Sequence, residues 1–103
     1  MKVSLFQIPS GLGRTELENL VVSELNYESS LGVKSELYLL PEYVNTSFLP
    51  EAIISNSVSR ETLSDYFLFE LSKKYKTNIV AGLSTYSMEL GNKTYYNSLI
   101  WFH

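Results

Sequence analysis

The sequence predicts a mixed α/β domain with the element order β-α-β-α-β-β. Short apolar runs alternate with segments whose apolar residues recur at helical spacing, and the chain closes on two strand-like runs joined by a turn. With 103 residues and no repeat, linker or low-complexity stretch, the chain is expected to form a single domain over residues 1–103.

Four segments have the composition of β-strands. The second is continuously apolar from Leu37 to Leu40, which is typical of a strand covered on both faces of a parallel sheet, and it stops at Pro41. Between the last two strands, Gly91 and Asn92 tolerate positive φ and predict a hairpin loop. The predicted strands are Val3 to Ile8, Glu36 to Leu40, Ile79 to Leu83 with a continuation towards Tyr86, and Thr94 to Phe102.

Two segments are predicted to be helices. The first runs from Thr15 to about Ser29, opens on a capping box formed by Thr15 and Glu18, and ends before Gly32. The second runs from Ser59 to about Lys76, with acidic residues near its start and lysines near its end, the order that the helix dipole favours. Residues 46–58 have no clean period and are expected to pack as a loop or a short helical turn.

The composition excludes several classes of function. The sequence contains no cysteine, so disulfides, thiolate zinc sites and cysteine nucleophiles are excluded within this chain. A net charge of −3 without a basic run argues against nucleic-acid binding. No segment approaches the roughly 20 apolar residues of a membrane span, and no signal peptide is recognisable, so a cytoplasmic protein without membrane partners is expected. His103 is the only histidine, and no metal site is predicted.

Five short motifs are distributed along essentially the whole chain. They are Val3-Ser4-Leu5-Phe6-Gln7, Asn19-Leu20, Leu39-Leu40-Pro41-Glu42-Tyr43, Ile79-Val80-Ala81-Gly82 and Tyr96-Asn97-Ser98. In their order and rough spacing they resemble the N-terminal part of the nitrilase superfamily of carbon–nitrogen hydrolases.

The resemblance implies a Glu-Lys-Cys catalytic triad of which this chain carries one member. Glu42 matches the general base, Asn97 is expected to orient it, and Tyr43 and Asn97 are candidate substrate-binding residues. The lysine and cysteine would follow the Tyr-Asn-Ser strand, whereas Lys93 precedes it and cannot be the family lysine. No cofactor is implied, and the chain alone is predicted to be inactive. Taken without the resemblance, Glu42 and Asn97 also fit an ordinary loop carboxylate and an ordinary strand asparagine.

The family fold is an αββα sandwich, of which this chain would form half, with its helices on one face of the sheet. The other face is then expected to present apolar side chains, drawn from Leu5 or Phe6, Leu37 or Leu39, Val80, and Leu99 or Trp101. Such a face predicts a partner, either a second copy in a two-fold homodimer or a complementing C-terminal segment. Three hypotheses remain open: a portion of a hydrolase, a small structural or binding protein derived from the fold, and a pseudoenzyme that lends Glu42 to a separate chain.

Overall fold

A computed structural model describes residues 2–9, 11–32 and 34–103. Over these residues the fold is mixed α/β, with one five-stranded sheet and three α-helices. The strands are β1 (Val3–Leu5), β2 (Leu37–Leu40), β3 (Val58–Ser59), β4 (Asn78–Glu89) and β5 (Asn92–Phe102). The helices are α1 (Arg14–Ser30), α2 (Pro50–Asn56) and α3 (Phe67–Lys74), with a 3₁₀ helix at Arg60–Asp65. The expected element order lacks α2 and β3. Helix α2 forms within residues 46–58, which have no clean sequence period, whereas β3 also includes Ser59, the predicted start of the second helix.

The long strand β4 organises the sheet. Its first part pairs in parallel with β2, which pairs in parallel with β1, and its later part pairs with β3 at Thr85 and Tyr86. Strand β5 runs antiparallel to β4 from the pair Ile79–Phe102 to the pair Glu89–Asn92. Because β5 occupies one edge of β4 throughout, β2 and β3 share the other edge and leave a gap between them.

One face of the sheet, here called the helix face, carries the core. Helices α1 and α3 pack on it, and all of the core side chains are less than a tenth exposed. Each buried leucine, isoleucine, valine or phenylalanine among them contributes about 1.5–3 kcal/mol by its removal from water. The principal core residues are Leu17, Val21 and Leu25 of α1, Phe67, Leu68 and Leu71 of α3, and Tyr38, Leu40, Ile79, Ala81, Leu83 and Phe102 of the strands.

The opposite face, here called the open face, is apolar and exposed. Strand register aligns Leu5, Leu39, Val80 and Trp101 in one row across four strands. Leu5 is 71% exposed, Leu99 77% and Trp101 64%. Alternation settles the strand phases that the sequence leaves open: Leu37 and Leu39 both lie on this face, as do Leu99 and Trp101. Phe6 turns to the helix face, where its ring meets that of Tyr38 at 5.2 Å.

Helix α1 begins one residue before the predicted start, and the predicted capping box is wrong. Gly13 occupies the N-cap position, without a side-chain hydrogen bond to the first turn. Thr15 therefore lies inside the helix, where its hydroxyl is no longer placed to cap it. At the other end Gly32 adopts φ of 70° and donates its N–H to the carbonyl of Ser29 at 3.1 Å, the glycine termination that the sequence predicts.

The second predicted helix is divided into two. The 3₁₀ helix ends at Asp65, Tyr66 is extended with ψ of 143°, and α3 begins at Phe67. Three consecutive residues, Tyr66, Phe67 and Leu68, are buried. Successive residues of a helix point about 100° apart, so one continuous helix cannot bury all three on one face. The break at Tyr66 lets both aromatic rings enter the core.

The hairpin between β4 and β5 is tighter than the loop from Glu89 to Lys93 that the sequence predicts. Leu90 and Gly91 are its two loop residues and both have positive φ, 52° and 82°. Positive φ at both loop residues is typical of two-residue hairpin turns, whose backbone twist matches that of the flanking strands. Asn92 belongs to β5, so the left-handed position that the sequence assigns to Asn92 is taken by Leu90. Among the described residues, no helix combines the length and apolar character needed to cross a membrane.

Burial of Tyr66 makes stability depend on alkaline pH. Burial raises the pKa of this phenol to about 12, while the charge of Arg14 lowers it and that of Glu18 raises it by smaller amounts. An unfolded tyrosine has a pKa of about 10, so the unfolded chain releases this proton first as the pH rises. The stabilisation is fully present below pH ~10 and is lost as the pH rises towards ~12.

Tyr66→Phe should therefore remove about 1–2 kcal/mol of the stability loss between pH ~9.5 and ~11.5, as measured by urea unfolding at each pH. Tyr27→Phe is the matched control because Tyr27 is 61% exposed, and it should keep the loss. Burial also raises the pKa of Tyr38, with Glu28 adding to the shift, so part of the pH dependence should remain in Tyr66→Phe. Equal loss in the wild type and Tyr66→Phe would contradict the assignment.

Candidate functional site

Glu42 lies just beyond the carboxyl end of β2, where the chain crosses beside β4. The Gly82 N–H donates to the carbonyl of Pro41 at 3.3 Å, and the Val44 N–H donates to the carbonyl of Gly82 at 2.9 Å. These two bonds hold the segment on either side of Glu42 against the middle of the sheet. Parallel strands place ligands beyond their carboxyl ends, so this is the edge where a site is expected.

Gly82 is required by the closeness of this crossing. A Cβ atom at position 82 would lie 2.6 Å from the Cα of Glu42 and 3.2 Å from both its backbone nitrogen and the carbonyl oxygen of Pro41. All three neighbours are backbone atoms, which cannot rotate away. The glycine of the Ile-Val-Ala-Gly motif therefore allows the Pro-Glu motif to lie on the open face.

Asn45 fills the gap between β2 and β3 along the edge of β4. Its side-chain oxygen accepts the Ser84 N–H at 2.9 Å, and its side-chain nitrogen donates to the carbonyls of Ser84 at 3.1 Å and Asn56 at 3.0 Å. The residue is 8% exposed. One amide side chain thus replaces a missing strand pairing, which satisfies buried backbone groups. Sequence reasoning missed this residue because a single asparagine after a strand has no distinctive spacing.

Asn97 and Glu42 form a direct contact. Asn97 stands opposite Ser84 on β5, on the open face, and its side-chain nitrogen donates to Oε1 of Glu42. Both residues are exposed. The hydrogen bond orients the carboxylate, and Oε2 of Glu42 has no hydrogen bond among the described residues. A carboxylate with one oxygen fixed and the other free can accept a proton from a group placed above it.

The Glu42–Asn97 pair lines a concavity of about 320 Å³ on the open face. Its floor is formed where Gly82 lacks a side chain, and exposed Leu99 forms part of its wall. The concavity therefore joins a polar pair to the apolar open face. Its lining residues are Leu40, Glu42, Gly82, Asn97, Ser98 and Leu99.

Tyr43 lies apart from this pair. Its backbone is left-handed, with φ of 51°, and its ring packs edge-on against Phe48 with the centroids 4.8 Å apart. Tyr43 is half-buried and does not line the concavity. Of the three candidate site residues, the structure brings Glu42 and Asn97 together, whereas Tyr43 follows Glu42 in sequence but does not line the concavity.

Metal ligands do not cluster in the described ranges, where no group of three or more histidine, cysteine, aspartate or glutamate side chains is arranged to hold an ion. His103 is exposed and its ring lies 5.5 Å from that of Trp101. A scan against protein-family models finds no match to the chain, and a search of curated proteins finds no relative. The candidate site is therefore defined by its geometry and by the sequence motifs.

Gly82→Ala should destabilise the chain by about 2–3 kcal/mol, because the new methyl group forces the Pro41–Glu42 backbone away from β4. Urea unfolding measures the loss, and the side-chain amide signals of Asn97 in an NMR spectrum should shift as Glu42 moves. Gly13→Ala is the matched control, since its Cβ would meet only the flexible end of Glu16 at 3.5 Å, and should cost less than about 1 kcal/mol. An unchanged unfolding midpoint for Gly82→Ala would show that the crossing is looser than described.

Proposed function

We propose that the chain is the N-terminal portion of a nitrilase- or amidase-type carbon–nitrogen hydrolase that acts on non-peptide C–N bonds. Glu42 serves as the general base, and the chain alone is catalytically incomplete. The observation that carries the proposal is the Glu42–Asn97 pair at the carboxyl end of β2, made by two separate motifs of the family pattern. The two residues lie 55 positions apart in the sequence, so their contact depends on the pairing of the strands in the sheet.

The geometry suits a base that works with a nucleophile from elsewhere. Asn97 donates to Oε1 of Glu42, Oε2 has no hydrogen bond among the described residues, and Glu42 lines the concavity. General-base assistance contributes about 10²–10⁴-fold in rate, which is too little to hydrolyse an amide without a nucleophile. The sequence contains no cysteine, so in this proposal the thiolate comes from a further polypeptide segment. The same segment supplies the lysine that stabilises the tetrahedral anion, which in the family pattern follows the Tyr-Asn-Ser strand.

The open face supports the same proposal. It presents Leu5, Leu99 and Trp101 to solvent beside the Glu42 concavity. A second sheet packed there would bury apolar surface and would carry its own side chains to the mouth of the site. The half-sandwich of the family resemblance requires a face of this composition. The complementing sheet is either a C-terminal segment or a separate chain to which this one lends Glu42.

The purified chain should not hydrolyse simple amides or nitriles. Mixed with a separately expressed C-terminal half of a nitrilase-type hydrolase, which supplies the lysine and cysteine, it should gain turnover. Glu42→Gln should lower that turnover by at least about 10²-fold, measured as ammonia release. Glu51→Gln is the matched control, because Glu51 is an exposed carboxylate in the first turn of α2, and should leave the rate unchanged.

Association of the two halves is measured in parallel by light scattering. Turnover by the chain alone that depends on Glu42 would overturn the assignment of a missing nucleophile. Two halves that associate without gaining turnover, or turnover indifferent to Glu42→Gln, would refute the base role. Two halves that do not associate would refute the half-sandwich.

The second candidate function is that of a self-associating structural or binding protein, favoured by the continuity of the open face. The row Leu5, Leu39, Val80 and Trp101 crosses four strands without a charged residue. Strands about 4.8 Å apart make a face roughly 15–20 Å wide, and contiguous exposed apolar patches larger than a few hundred Å² mark interfaces. A two-fold axis through this face would pack sheet against sheet and bury the same residues of both copies.

Self-association predicts a dimer at micromolar concentration that Leu99→Lys converts to a monomer, measured by sedimentation or light scattering. A central apolar anchor contributes about 2 kcal/mol or more, and a two-fold interface contains it twice. Leu90→Lys is the matched control, because Leu90 is fully exposed at the hairpin tip, away from the open face, and should remain dimeric. A wild-type chain that is monomeric and melts cooperatively would contradict this candidate.

A further inference from the structure

Arg60 is held in a fixed position on the helix face of the hairpin, on the opposite side of the sheet from Glu42. Its Nε donates to Oγ1 of Thr85 and its Nη2 donates to Oγ of Ser98, both at 3.2 Å. Its Cζ lies 3.9 Å from the centre of the Tyr96 ring. Three contacts from two strands thus immobilise a side chain that is flexible on most protein surfaces.

The group that holds Arg60 is largely buried. Thr85 is fully buried and Ser98 is 8% exposed, and their hydroxyl oxygens lie 2.8 Å apart. One of the two hydroxyl groups donates a hydrogen bond to the other. Each hydroxyl oxygen also accepts one N–H of the Arg60 guanidinium. The Nε–Nη2 edge of the guanidinium is therefore occupied by the protein.

The outer edge of the same guanidinium has no partner. A guanidinium carries five N–H donors, and the two hydrogen bonds above use two of them. Among the described residues no acceptor takes the other three, and no carboxylate lies within 4.0 Å of Arg60. Glu89 lies near enough for the charge of Arg60 to contribute to the lowering of its pKa, after the larger effect of the Tyr96 hydrogen bond, but it forms no ion pair with Arg60, and its Oε1 accepts the Tyr96 hydroxyl at 2.6 Å. Three N–H donors of Arg60 therefore have no hydrogen-bond acceptor among the described residues.

We propose that Arg60 is a binding site for a carboxylate group of a small ligand. The carboxylate is received end-on by Nη1 and the free N–H of Nη2, a planar fork that matches its two oxygens. Thr85, Ser98 and Tyr96 position the guanidinium, so little rotamer freedom is lost when the ligand binds. The site is independent of Glu42 and of the proposed hydrolase activity, because it lies on the other face of the sheet.

Acetate is the probe, titrated into the intact chain at constant ionic strength maintained with sodium chloride. The Nε–Hε signal of each arginine is followed by NMR. The Arg60 signal should shift and saturate with a dissociation constant in the millimolar range or weaker, where about 1 mM corresponds to a binding free energy on the order of −4 kcal/mol. Arg14, the only other arginine, is the internal control and should not saturate. Equal shifts at both arginines, or no saturation at Arg60, would overturn the site.

Two variants distinguish recognition from general charge. Arg60→Lys keeps the charge but loses the planar fork, and should weaken acetate binding at least about tenfold, whereas Arg14→Lys should not. Acetate binding is read in these variants from the backbone amides of Thr85 and Tyr96. Glu89→Gln leaves Arg60 in place and removes a neighbouring negative charge, so it should tighten binding about two- to threefold. Looser or unchanged binding in Glu89→Gln would count against the proposal, as would full binding in Arg60→Lys.

Inorganic phosphate is titrated as the competing oxyanion. A dissociation constant for phosphate similar to or weaker than that for acetate supports a carboxylate ligand. Phosphate binding tighter than acetate by more than about tenfold would show that the fork receives a tetrahedral anion, and would overturn the carboxylate assignment.

Discussion

The contact between the Pro41–Glu42 backbone and Gly82 is the constraint on which the candidate site depends. It brings the end of β2 across the face of β4 at a distance that no side chain at position 82 allows. From this crossing follow the hydrogen bonds to Gly82 on both sides of Glu42 and the turn that directs Asn45 into the gap between β2 and β3. The sheet and the site therefore share their hydrogen bonds, and a change that loosens one loosens the other.

Much of the fold follows from local patterns. Continuous apolar runs identify β2 and β4, and the helical stripe of Leu17, Val21 and Leu25 identifies α1, because burial on one side leaves a period in the sequence. The sequence does not predict the break between the 3₁₀ helix and α3 at Tyr66. In the sequence, Tyr66, Phe67 and Leu68 fit the apolar side of one continuous helix, and only their packing on the sheet shows that all three are buried. The two-residue strand β3 is too short to have a period at all.

The candidate site residues are predicted from short motifs rather than from hydrophobic periodicity. Glu42 is recognised from a motif that ends a strand, and Asn97 from a motif on another strand, but their contact depends on the register of β5 on β4. The spacing of residues along the chain does not show which residues of β4 and β5 pair. Tyr43 shows the limit of motif reasoning, since a neighbour of Glu42 in sequence packs against Phe48 instead. Asn45 shows the converse, a structurally central residue with no pattern to reveal it.

The two faces of the sheet place different demands on a partner. The helix face is already covered by α1 and α3, and Arg60 lies exposed at its margin. The open face is uncovered, and Glu42 lies on its border. Any polypeptide that packs on Leu99 and Trp101 must also remove water from around the Glu42 carboxylate. Such a partner has to offer that carboxylate a donor or a proton, because an unpaired buried charge would oppose the gain from covering the apolar side chains.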